Sequence, residues 1–429
     1  MTDVTTRGAQ SPAGESAAER KLARSYKTPI VLTLFAVAAL LFFALLQAPG
    51  STTIDLNDGG VPFALAPLVL PLPVTGYVIA VISLAIAGYS WALARSDRKL
   101  PSWLAIVFGV LWVVGLIVTI GANATVPVTW LLTGTLALAT PLIFGSMAGL
   151  VSERVGVVNI AIEGQLLAGA FASAFIASLT GQPFLGLLGA IVAGMLVSVV
   201  LAVFSIVYWV EQVVVGVVIN LLVIGLTDFF YSVIAANAPA LNDPPKYPVW
   251  EIPVLGDIPV LGPLLFTNTI VGYLMLLLVP VLTYAVFRTR WGLRMRAVGE
   301  HPKAADTVGI KVNPTRFWNV LLSGAIAGAG GTFFTLGAVG AFGREMTSGQ
   351  GYIALAALIF GRWHPVYAAL AALLFGFASN LQRLAVQVGS TIPTEFMAMI
   401  PYVVTILAVA GFVGQSRGPA ASGKPYIKA

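Results

Sequence analysis

Long, continuously apolar stretches recur along this 429-residue chain, and they constrain its architecture before any motif is read. A bilayer hydrocarbon core is about 30 Å thick, and about 20 apolar residues cross it as a helix. Runs of that kind lie near residues 29–46, 74–94, 102–122, 129–149, 158–179, 183–208, 213–234, 269–287, 317–338 and 393–413. Inside lipid every backbone N–H and C=O must find a partner within the protein, which leaves helices or a closed barrel. Barrel strands alternate over segments of about ten residues, whereas these runs are long and unbroken, so an all-α polytopic membrane protein with about ten transmembrane helices is expected. Hydrophobic residues make up 58% of the chain and charged residues only 9%. An ordinary soluble domain carries about 25% charged residues, so a water-soluble fold is excluded.

The formal charge of +6 does not point to nucleic acid, because the basic residues sit in short loops between apolar runs. Positive charge held on the cytoplasmic side explains them better. Arg20, Lys21, Arg24 and Lys27 precede the first run, Arg95, Arg98 and Lys99 fill one hairpin, and seven Lys or Arg lie between Arg288 and Arg316. The loops expected outside are poor in them: residues 48–73 hold Asp55 and Asp58 but no cation, and residues 235–268 hold one, Lys246. The first run is too long for the apolar region of a cleaved signal and is expected to stay as a span. Residues 1–25 and 416–429 read as cytoplasmic tails, the first of them disordered, and residues 26–125 as a set of additional helices ahead of a core at 126–415. With both termini inside, the number of crossings is even. The segment Gly351–Asn380 then adds none or two, and its first limb, residues 351–361, reaches only about 16 Å as a helix. It reads as a re-entrant or broken-helix pair interrupted at Arg362-Trp363-His364-Pro365.

Three segments carry more than hydropathy. In GLVSERVGVVNIAIEGQLLAGA, Gly149–Ala170, the polar Asn159, Glu163 and Gln165 enter an apolar run. An ionisable group at mid-bilayer costs about 2.5 to 3.5 kcal/mol on insertion scales, so Glu163 faces a polar cavity or lies near the interface. A helix-end cap is the plainer alternative for Asn159 and Glu163. Asn220, in VVVGVVINLL, is a further polar group inside an apolar run. The second segment, Arg288–Val312, contains a short helix signal: Pro302 suits a first turn and Gly309 the position past the end. That helix turns Ala304, Ala305 and Val308 toward a partner and Lys303 and Asp306 toward water. The third is GYIALAALIFGRWHP, whose Arg362 and His364 either line a pathway or pair locally. Glycines 324, 328, 330, 331, 337 and 340 crowd one span and its exit, as in tight helix packing or a moving helix.

Through SERVGVVNIAIEG, VVVGVVINLL and AVGEHPKAADTVGI the chain resembles permease subunits of bacterial ATP-binding-cassette importers for branched-chain amino acids, simple sugars and nucleosides, nearest the nucleoside type. The likeness spans residues 131–413. It implies a coupling helix within Arg294–Ile310 that docks on a separate ATPase, with Arg294, Arg296, Gly299, Glu300, His301, Pro302, Ala305 and Gly309 at the contact. It implies a second, non-identical permease subunit, an external solute-binding lipoprotein and residence in the bacterial inner membrane. Asn159, Glu163, Gln165 and Asn220 are the pathway candidates. The preferred solute order is nucleoside, then simple sugar, then branched-chain amino acid.

Other classes fit poorly. No phosphate-binding G-x-x-x-x-G-K-[ST] loop occurs, so ATP and Mg belong to the partner ATPase and the chain itself binds no cofactor. The chain has no cysteine and only two histidines, His301 and His364, which leaves no expected metal site or catalytic group for an intramembrane enzyme. An ion-coupled carrier would bury ionisable relay groups near mid-membrane, whereas Glu211, Asp228, Arg383 and Glu395 fall toward span ends.

Overall fold

Uninterrupted apolar sequence becomes helix wherever the backbone has no other way to pair its own groups. In the computed structural model, which describes residues 26–57, 65–98, 100–390, 396, 399 and 418–428, nine of the expected runs are helices. They are α1 (Lys27–Leu45), α2 (Leu72–Arg95), α3 (Ser102–Ile120), α4 (Val128–Glu153), α5 (Ile162–Thr180), α6 (Pro183–Val207), α7 (Gln212–Asn237), α8 (Ile270–Arg288) and, past two short helices, α11 (Val312–Val339). Those two are α9 (Arg290–Glu300) and α10 (Pro302–Thr307). The expected run at 393–413, apart from Phe396 and Met399, and the tail 1–25 lie outside the described residues.

The interrupted pair is present as α12 (Gln350–Phe360) and α13 (Pro365–Gln387). Eleven residues make α12 too short to span, as its sequence requires. The second limb runs past Asn380, where the apolar run stops, and is long and apolar enough to cross a membrane, which makes ten such helices among the described residues. Its extension follows helical periodicity: Leu381, Leu384 and Ala385 are buried while Arg383 is exposed.

The chain divides into two compact units, residues 1–52 with 69–124, and residues 53–68 with 125–429. In the first, Phe43 of α1 is the pivot. Its backbone carbonyl fills the space a side chain at Gly76 of α2 would need, and its ring covers Gly115 of α3. Trp91 donates to the Thr33 hydroxyl at 2.9 Å and Trp112 to the Phe35 carbonyl at 3.2 Å, so both indole N–H groups find partners.

In the second unit α4, α5 and α11 are the most enclosed helices, and small residues set their spacing. Gly194 of α6 abuts the Gly324 carbonyl of α11, Gly328 abuts the Ala190 carbonyl, and Gly331 abuts the Leu166 carbonyl of α5. The glycine-rich span is therefore a packing face on which backbones meet directly. Short paired strands also occur in this unit: Thr53–Asp55 runs parallel to Thr125–Pro127, and Val249–Glu251 antiparallel to Thr267–Thr269.

Candidate functional site

After Glu153 the chain turns at Gly156, whose φ of 86° is easy only for glycine, and folds back into the bundle before α5 begins. Ile162 then lies against Gly145 and Gly149 of α4. At 1.5 Å per residue these are about 6 to 12 Å in from the end of α4. An independent helix gives the same depth, because Asn220 lies about 12 Å along α7 and meets Gly164. So α5 starts inside the bundle, which places the polar residues of its first turn there too.

All four pathway candidates converge at that depth, and all are buried. Asn159 donates to Gln165 at 3.0 Å and to Ser323 of α11 at 2.9 Å, and Gln165 donates to Ser198 of α6 at 2.8 Å. The Asn220 carboxamide accepts from the Gly164 amide at 2.8 Å and donates to the Ile160 carbonyl at 2.9 Å and the Tyr352 hydroxyl at 3.0 Å. Glu163 reaches the start of α12. Its carboxylate accepts from the Thr347 hydroxyl at 2.6 Å, the Gly349 amide at 2.8 Å and the Gly351 amide at 2.6 Å. Amides at a helix start have no intrahelical partner and the helix dipole favours a negative charge there, so Glu163 caps α12. The helix-end cap weighed from sequence is realised on a different helix, far away in the chain.

Residues 340–349, which lead to α12, are irregular, and Gly340, Glu345, Ser348 and Gly349 have positive φ. Arg344 touches Ser232, twelve residues further along α7 than Asn220, so the segment descends about 18 Å to reach Glu163. Glu345 and Ser348 are exposed, and Tyr352 is 46% exposed although its hydroxyl is held by Asn220.

A second cluster lies at the other end of α12. Arg362 and Trp363 both take left-handed φ values, 51° and 53°, which reverses the chain into α13. The Trp363 indole N–H donates to the Glu153 carboxylate, while Arg154 donates twice to the Trp363 carbonyl. His364 stacks on Phe287 of α8 at 4.9 Å, and the guanidinium groups of Arg154 and Arg296 lie 5.9 and 5.4 Å from that ring. Burial, with Arg154 adding its charge, lowers the His364 pKa from its ordinary value. Burial likewise lowers that of Arg154. The three segments that stood out in the sequence therefore meet at one end of the bundle, where His364 packs on the Phe287 and Tyr367 rings and Arg154 holds the Trp363 carbonyl.

The basic segment is more ordered than its sequence suggests. The Thr289 hydroxyl caps α9 by accepting from the Gly292 amide at 3.2 Å, the chain bends at His301, α10 follows, and Gly309 ends it with φ 86°. Sequence reading foresaw α10 but not α9, whose alternating cations hide its helical period. Met295, Val298, Gly299 and Ala305 are buried by the chain itself. Arg294, Glu300, His301, Ala304, Val308 and Gly309 are exposed, and Arg296 and Pro302 are half-buried. Of the three residues expected to face a partner, Ala305 is buried by the chain itself, while Ala304 and Val308 stand exposed. Val308 is 76% exposed because the helix ends before it.

Ten span-length helices among the described residues, with a polar knot inside the second unit and a basic helical element at one end of that unit, define a multi-pass membrane protein. Residues 131–409 match the family model for branched-chain amino acid transport systems, permease component. The chain is 43% identical over 303 residues to the guanosine ABC transporter permease protein NupQ of Bacillus subtilis, covering 68% of this chain and 95% of that relative. It is 40% identical over 299 residues to the nucleoside ABC transporter permease protein NupC of Lactococcus lactis, covering 68% and 94%. A second guanosine ABC transporter permease protein of Bacillus subtilis, NupP, is 24% identical over 286 residues, covering 64% and 79%. No solved structure matches the chain significantly. The chain belongs to this family of transport permeases.

Proposed function

We propose that this chain is the membrane-spanning subunit of an ATP-driven importer that moves nucleosides across the plasma membrane. The observation that carries the solute class is the identity of 43% and 40% to a guanosine and a nucleoside permease along nearly their whole length. As a permease it is a transport subunit rather than an enzyme, and ATP with Mg acts on a separate ATPase subunit. Two different guanosine permease proteins of one organism are similar to it, which supports a non-identical second permease subunit here. An external binding lipoprotein delivers the solute, and both termini face the cytoplasm.

In the mechanism, α9 and α10 are the lever. Arg294, Glu300, His301, Pro302 and Gly309 meet the ATPase, while Gly299, Ala305 and Arg296 seat the lever on the bundle. Support comes from the cluster of Glu153, Arg154, Phe287, Trp363 and His364, which ties the ends of α4, α8, α12 and α13 to α9. A displacement of the lever is thus passed to α12. Glu163 and Asn220 frame the pathway by fixing the start of α12, and Asn159 and Gln165 by tying the entry of α5 to α11 and α6. Irregular backbone at membrane depth is tolerated only inside protein or beside a water-filled cavity, so the exposed Glu345, Ser348 and Tyr352 face the pathway.

The test is uptake in proteoliposomes holding this chain, its partner permease, the ATPase and the binding protein. Labelled guanosine is expected to accumulate only with internal ATP, and excess ribose or leucine is expected not to compete. Uptake driven by an ion gradient without ATP would refute the reading.

A further inference from the structure

The end of the chain has a composition that reads as a solvated tail, yet residues 418–428 lie across the bases of α9, α10 and α11 with specific anchors. The Ala421 amide donates to the Gly299 carbonyl at 2.9 Å, and the Gly423 amide to the Gly156 carbonyl at 3.3 Å. The Ala420 amide donates to the Glu300 carboxylate at 3.2 Å, and Lys428 lies 3.6 Å from the Asp306 carboxylate. The firmest anchor is Arg316. Its side chain is 1% exposed and donates to the Lys424 carbonyl at 2.9 Å. Tyr426 tucks in behind at 8% exposure. A guanidinium taken out of water is costly unless it is paired, so its bond to the tail is part of what makes this arrangement stable.

Between the tail and the elbow of α9 and α10 lies an open groove of about 670 Å³. Pro302 and Ala304 line one wall, and Pro425 and Ile427 the other. On its tail wall Ile427 stands in the open at 56% exposure, and Val308, just past the end of α10, at 76%, both outside any span-length helix. Exposed apolar groups gathered at a groove mark a docking surface. The groove carries exposed Lys303 and Lys424 against Glu300, and Lys428, next to the lining residue Ile427, pairs with Asp306.

We propose that the tail is the second wall of the socket that receives the ATPase, so that the motor grips α10 and residues 424–428 together. The occupant this surface fits is an ATPase face with an apolar ridge between acidic side chains, which complements both the groove and its rim. The inference rests on the lever reading above and adds a partner for a segment that reading does not use. In its light Arg316 is a positioning residue, holding the tail wall at a fixed distance from the elbow.

The test uses the full chain in its complete transporter. Ile427→Asp places a charge in the apolar contact without touching the fold, since Ile427 is exposed. The double variant Lys424→Glu with Lys428→Glu reverses the rim. Each is expected to weaken binding of the purified ATPase by about tenfold or more, with an unchanged melting temperature for Ile427→Asp. Wild-type binding by both overturns the inference. Ala304→Asp on the opposite wall separates the two ideas. If it abolishes binding while the tail variants do not, only the tail assignment falls; if it too binds normally, the lever reading falls. A response that follows the anionic-lipid content of the membrane with ATPase binding intact also overturns the inference.

Discussion

The two polar clusters of the second unit obey opposite rules. Inside the bundle, Asn159, Glu163, Gln165 and Asn220 hold one carboxylate among neutral groups, and none of their buried side-chain atoms lacks a partner. At the end, Glu153, Arg154, Trp363 and His364 are mostly ionisable, and His364 Nδ1 is buried without a hydrogen bond. A satisfied network fixes one arrangement, whereas unmet valences leave room for a second. The inner cluster is accordingly a frame and the end cluster a joint.

Glu163→Ala is the sharpest challenge to the frame. It strips the acceptor from one hydroxyl and two amides, each unsatisfied donor costing about 1 to 3 kcal/mol, so uptake is expected to vanish and the melting temperature to fall by several degrees. Glu163→Gln is expected to be intermediate. Asn159→Ala and Asn220→Ala come next, each losing about 1 to 3 kcal/mol of stability and reducing uptake. Normal uptake in both variants would remove these residues from the pathway. Trp363→Phe tests the joint by deleting the donor to Glu153. It is expected to lower solute transported per ATP hydrolysed by severalfold while melting changes little; a frame-like loss of stability with unaltered coupling would erase the distinction between the clusters.

What the sequence could tell follows from how local each signal is. Apolar runs are local, so nine helices and the break before Pro365 were legible, and Pro302 and Gly309 announced α10. Partners distant in the chain were not. Nothing near Glu163 says that it caps a helix starting at residue 350, and nothing near Arg316 says that it holds the carbonyl of Lys424. The second limb was expected to stop at Asn380, yet its helix continues to Gln387, because one charged side chain, Arg383, on an exposed face does not interrupt a helix.

The smallest expected effect is pH-dependent. His364 has a lowered folded pKa, so above the unfolded value of about 6.5 both states are neutral and its contribution is complete. As pH falls below that, the unfolded chain takes up the proton first and stability is lost. Melting between pH 7.5 and 5.5 is expected to drop slightly more for the wild type than for His364→Gln, and equal drops would mean that the ring is protonated in place.

The short length of α12 has a mechanical corollary. Along that line the wall is helix for one half and irregular ribbon, residues 340–349, for the other. A full helix cannot bow outward without breaking its own ladder of bonds, whereas the ribbon is held by a few bonds to side chains, among them those of Asn242 to Phe342 and Ser232 to Arg344. On the proposed pathway, passage of a bulky guest asks least of the protein at that half-built seam, where Glu163 holds its lower end.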